Sequence, residues 1–155
     1  MSILLTPDWT LPSSQSNFIW YCAWLSLPST IYASSHPVSA HLAIIPASVF
    51  ATSLLYWRNP LRNSWRRKLD MIAVAFGVLY QTYYAFNTIH DNIQSILTYT
   101  SLIVCSTGCY GLSIYFMKCG HIWSSTYAHA SVHIIANIAN IVLYSSIKDT
   151  QIPKK

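Results

Sequence analysis

Six polar side chains near the end of the chain follow a helical rhythm. Ser125, His129, His133, Asn137, Asn140 and Tyr144 are spaced four, four, four, three and four residues apart, which places them on one face of a helix. Within that face His129 and His133 stand at i, i+4, a spacing that lets two imidazoles approach one metal ion. A second stripe holds Asp70, Gly77, Gln81, Tyr84 and Thr88, and a third holds His41, Ser48, Thr52 and Tyr56. Amide and hydroxyl groups on such stripes serve as ordinary hydrogen-bonding glue between helices. Two histidines and an aspartate are a sharper signal, since ionisable groups at membrane depth mark functional sites. Asp70 also has a plainer reading as an anion near a helix N-terminus, paired with Arg66 or Arg67.

These stripes belong to segments that are otherwise apolar. A bilayer core of about 30 Å needs about 20 apolar helical residues. Four segments qualify: 38–57, 69–89, 93–117 and 122–147. The run 18–33 is aromatic and apolar but short and interrupted by Pro28, which suits an interfacial helix or a shortened fifth span. The expected fold is therefore an all-α membrane protein, one integral domain over 1–155. It would be a bundle of four transmembrane helices with an N-terminal interfacial or fifth helix and a polar interior. The first twelve residues, with Pro7 and Pro12, and the polar end KDTQIPKK read as tails.

Composition supports this. Hydrophobic residues make up 53% of the chain and charged residues 8%, against about 25% charged in a soluble domain. The 11 tyrosines and 6 tryptophans favour membrane interfaces. Glutamate is absent and the acids are Asp8, Asp70, Asp91 and Asp149. That excludes a zincin with its glutamate base and leaves little for a glycosidase carboxylate pair. The net charge of +5 does not indicate nucleic acid, because Arg58, Arg62, Arg66, Arg67 and Lys68 crowd one loop between apolar segments. Under the positive-inside rule, loop 58–68 faces the cytoplasm. The turn 90–92 would face the other side, and Lys118, Cys119 and Gly120 would turn back on the basic side. Lys148, Lys154 and Lys155 then lie on the side opposite the basic loop. Cys105 and Cys109, one turn apart, read as small buried residues, with a redox pair as the alternative. No basic region precedes the first apolar stretch as in a secretory signal peptide, and no Asn-x-Ser/Thr site occurs.

Three short strings resemble the CREST superfamily of membrane proteins, which includes alkaline ceramidases, progestin and adiponectin receptors and GPI-remodelling lipid hydrolases. They are Ser53-Leu54-Leu55-Tyr56-Trp57, Leu69-Asp70 and Ala128-His129-Ala130-Ser131-Val132-His133. Their order and their placement on the expected spans are similar to the family pattern. The resemblance implies seven helices and a zinc ion on three histidines, whose bound water attacks a lipid amide or ester. Carried over, His129 and His133 would be zinc ligands, and Asp70 would orient or deprotonate the water. Ser53 would hydrogen-bond near the oxyanion or the metal shell.

The chain departs from that pattern in two places. The third histidine position is occupied by Trp57, and tryptophan cannot ligate zinc. His41 lies ~24 Å away along the same helix axis, and His36, His90 and His121 fall near membrane edges. The length also holds far fewer than seven spans. The functional expectation is a CREST-like, zinc-dependent membrane hydrolase of reduced or lost activity; the alternative is a non-catalytic scaffold, assembly factor or small subunit. A b-type haem protein, with His41 and His129 or His133 as axial ligands, is a third reading. The partners expected are membrane lipids, with a second copy or another membrane protein as further candidates and no nucleic acid.

Overall fold

The computed structural model describes residues 9–89 and 92–151, with the backbone alone for 148–151. The expectations for Pro7, for His90 and Asp91 of the turn 90–92, and for the side chains of Lys148, Asp149, Lys154 and Lys155 lie outside the described residues. The element order is α1 Ser13–Ala23, α2 Ser26–Ser34, a 3-10 turn Ala40–Ala43, α3 Ile44–Trp57, α4 Trp65–Thr88, α5 Ile93–Lys118 and α6 Ile122–Gln151. Among the described residues there is no β-strand, only the isolated bridge between Trp9 and Leu61. The protein is an all-α membrane protein.

Local chemistry explains the boundaries. Pro28 lies in the first turn of α2, where its missing N–H costs nothing, but its ring would collide with the carbonyl of residue 24 in a continuous helix. The apolar run at 18–33 is accordingly two helices broken at Trp24–Leu25. Pro46 occupies the same early position in α3, so the α-helical part of the first span starts at Ile44 and a 3-10 turn precedes it. Ser64 caps α4, its side chain accepting from the Arg67 amide at 3.2 Å, which starts that helix four residues ahead of the expected span. Asn92 caps α5 through the Ser95 amide at 3.2 Å.

The α5–α6 hairpin closes on Gly120, whose φ is positive (80°). His121 N–H reaches Phe116 O at 2.9 Å and Gly120 N–H reaches Met117 O at 3.2 Å. This paired pattern terminates a helix on a left-handed residue, for which glycine carries no Cβ penalty.

Three helical stretches are long and apolar enough to cross a membrane: Ala40–Trp57, Ile93–Lys118 and Ile122–Ile147. α4 has comparable length, at 24 residues, but Arg66, Arg67, Lys68 and Asp70 at its start and Gln81 and four tyrosines or threonines beyond dilute its apolar character. Its outward stripe is nonetheless fit for lipid. Ile72, Phe76, Leu79, Tyr83 and Phe86 recur at four, three, four and three residues, and each is more than half exposed. Large apolar side chains outside and polar ones inside are the reverse of a water-soluble bundle.

Two apolar clusters mark the ends. At the basic-loop end, Leu11, Ile19, Tyr56 and Trp57 pack with Trp20, Met117 and Ile122. This places the α5–α6 turn beside loop 58–68, as expected. At the other end, Ala33, Leu42, Ala43, Ala85, Ile89, Tyr99, Leu143, Tyr144 and Ile147 pack together. Ile19 of α1 belongs to the first cluster and Ala33 of α2 to the second. The α1–α2 pair therefore runs the height of the bundle as a broken helix rather than lying across one end.

Cys105 departs from expectation. It is exposed, and Cys109 is half-buried. The inward face of α5 consists of Ile96, Tyr99, Ser106 and Ser113, so Cys105 points away from the bundle. Both thiols are free.

Candidate functional site

Between the two apolar clusters lies a layer of polar contacts. Thr52 and Ser53, adjacent on α3, both direct their hydroxyls across to Asp70 on α4. Ser53 Oγ donates to Asp70 Oδ1 at 2.7 Å and Thr52 Oγ1 donates to the same oxygen at 2.9 Å. Ser53 is buried. Two charge-assisted bonds of this length hold the carboxylate firmly. The helix-cap reading of Asp70 is thereby replaced: Ser64 is the cap, and among the described residues Asp70 bonds to Thr52 and Ser53 rather than to Arg66 or Arg67.

One turn beyond Ser53, Trp57 leans on His129 of α6. Their ring centroids are 4.9 Å apart with an interplanar angle of 67°. His133 follows at 5.6 Å from His129, and Tyr110 of α5 closes the far side at 6.0 Å. His129 is thus boxed by aromatic rings from three helices. Trp57 and His133 are buried, and among the described residues Trp57 Nε1 and His133 Nε2 have no hydrogen-bond partner. The indole nitrogen can only donate, whereas a neutral imidazole nitrogen can donate or accept.

The layer continues along α6. Asn137 Nδ2 donates to the His133 carbonyl at 2.7 Å and to Ser26 Oγ at 3.3 Å, and Ser29 Oγ donates to Asn137 Oδ1. This single amide clasps α2 to α6. Gln81 Nε2 of α4 donates to Tyr144 of α6. Nearer the hairpin turn, Ser125 Oγ donates to the Ser113 carbonyl at 2.8 Å. His41 lies against Tyr84, centroids 5.1 Å apart, away from the His129–His133 pair.

Of the four residues singled out from sequence, the fold joins Ser53 to Asp70 and His129 to His133, with Trp57 next to Ser53's turn and in contact with His129. No hydrogen bond joins Asp70 to either histidine. Among the described residues, no three His, Cys, Asp or Glu side chains come together closely enough to hold one metal ion. A catalytic zinc ordinarily has three protein ligands. The orphaned His133 Nε2 suits a ligand, but the donor that completes the set is an indole N–H, so the residues present do not form the three-histidine site that the family resemblance implies.

Two neighbours were not singled out beforehand. Thr52 stood in a polar stripe, but nothing in the chain indicates that it shares the Asp70 oxygen with Ser53. Tyr110 carries no local signal and reaches His129 only through the packing of α5 on α6. Compared with known proteins, the chain matches no family model, no curated protein and no solved structure.

Proposed function

We propose that this integral membrane protein is a reduced CREST-type protein that keeps the Ser53–Asp70 and His129–His133 pairs but has reduced or lost lipid-hydrolase activity. The observation that carries this reading is the Trp57–His129 contact at 4.9 Å. It fills the position of the expected third histidine with a ring that cannot bind zinc. What remains is a carboxylate held by two hydroxyls and several amides and hydroxyls engaged in holding helices together. The interhelical bonds of Asn137, Gln81 and Ser125 favour the accompanying role of a non-catalytic scaffold or subunit. Loop 58–68 faces the cytoplasm in this reading, and lipids are the immediate partners.

The test uses the full chain without a histidine tag, in detergent or nanodiscs. Bound metal is measured by mass spectrometry, and turnover is measured on lipid amides and esters. Zinc-free, inactive and fully helical protein is the expected result. Near-stoichiometric zinc that disappears in His129→Ala and His133→Ala, together with turnover, would overturn the proposed loss of activity.

A further inference from the structure

We infer that a cleft between α1 and the C-terminus of α3 binds the phosphate of an anionic membrane phospholipid. The cleft has a volume of about 350 Å³ and is lined by Asn17, Trp20, Tyr21 and Arg58. It lies apart from the Asp70 and His129–His133 layer and is independent of the proposed function.

Arg58 is the reason to expect an anion. It caps the C-terminus of α3, where a cation complements the helix dipole. That accounts for a positive charge but leaves the guanidinium fork unused. Its loop neighbours are differently placed: Arg62 Nε donates to the Trp9 carbonyl at 3.2 Å, Arg67 donates to the Arg62 carbonyl at 3.1 Å, and Arg66 lies over the Trp65 ring at 5.8 Å. Arg58 is exposed, and among the described residues no hydrogen bond or ion pair engages its side chain. Asp70 is the one acid whose side chain is described, and Thr52 and Ser53 hold it. The arginine fork matches the geometry of phosphate oxygens.

The surroundings select a lipid as the source of that phosphate. Trp20 and Tyr21 meet edge to face at 5.2 Å, and Trp20 meets Trp24 at 5.8 Å. Trp9, Trp20, Trp57, Trp65 and Trp123, five of the six tryptophans, lie at this end of the bundle. Such rings concentrate at the level of the headgroups. Exposed Trp24 and Leu55 continue from the cleft toward the bilayer interior, where acyl chains would lie. Asn17 adds an amide donor at the outer rim.

The experiment is lipid titration of the full chain in detergent, read by native mass spectrometry, with phosphatidylglycerol against phosphatidylcholine. Wild type should prefer phosphatidylglycerol. Arg58→Gln should weaken that binding about fivefold, the effect of one cation at an anionic surface, and Arg58→Lys should fall between. Lys68→Gln removes the same charge from the same loop and should leave binding near wild type. Equal losses in Arg58→Gln and Lys68→Gln would overturn the inference in favour of diffuse attraction. Full displacement by an equal concentration of inorganic phosphate would overturn the lipid assignment.

Discussion

Trp57 packs its indole against the imidazole of His129 at 4.9 Å, and this contact between α3 and α6 defines the character of the polar layer. A histidine at position 57 would present a nitrogen to the same neighbour. Trp57→His should therefore create a three-histidine set with His129 and His133 and acquire zinc, whereas Trp57→Phe should not. Metal content of the purified variants checks this. A zinc-free Trp57→His protein with intact helicity would show that the two imidazoles do not converge on a common point with residue 57.

The Asp70 carboxylate depends on two hydroxyls. Ser53→Ala should destabilise the protein by ~1–3 kcal/mol, because a half-buried carboxylate loses a charge-assisted donor. Thr52→Val should cost less, since its hydroxyl also bonds the Val49 carbonyl at 3.2 Å. The double variant should lose more than the sum, as each hydroxyl partly covers for the other. Thermal unfolding in a fixed detergent measures all three, and strict additivity would argue against a shared oxygen.

Gly77 has a single close neighbour that matters. A Cβ there would come within 2.7 Å of Ile45 Cγ2, closer than real Cβ contacts allow. The methyl belongs to a β-branched side chain that turns away poorly. Gly77→Ala should destabilise by ~1–3 kcal/mol, and Ile45→Val, which keeps Cγ2, should not relieve it. Ile45→Ala in the Gly77→Ala background should recover part of the loss. Unfolding of the three variants tests the contact directly.

The Gln81–Tyr144 bond should behave as ordinary membrane glue. A double-mutant cycle with Gln81→Leu and Tyr144→Phe should yield a coupling of ~0.6 kcal/mol. Asn137→Leu should cost more than either single change, because it frees the hydroxyls of Ser26 and Ser29 together. A near-neutral Asn137→Leu would mean that α2 is held chiefly by its apolar contacts.

Much of this was legible in the chain because helical periodicity is a local property. The stripe from Ser125 to Tyr144 does face inward, and His133, Asn137 and Tyr144 are buried. The expected spans 93–117 and 122–147 differ from α5 and the apolar part of α6 by at most a residue at each end. Asp70 could be named in advance because it is an acid near the start of an apolar segment, whereas Ser53 stands out only through the resemblance of its string to the family pattern. The Trp57–His129 contact could not be named, since it depends on how α3 and α6 register across 71 residues of intervening chain. The break at Trp24–Leu25 was signalled by Pro28. Its outcome, a broken helix running the bundle's full height, depended on the surfaces that α3 and α6 offer.

That broken helix has a consequence for how the protein is made. With 11 and 9 residues, neither α1 nor α2 is long enough to be held in a bilayer by its own apolar surface. Their buried face carries Gln15, Ser16, Ser26 and Ser29, and two of these find their amide partner in Asn137. Asn137 lies on α6, which leaves the ribosome after α1 to α5. The α1–α2 pair is thus synthesised well before the helix that seats it, and biogenesis must keep it waiting at the membrane surface until α6 has arrived.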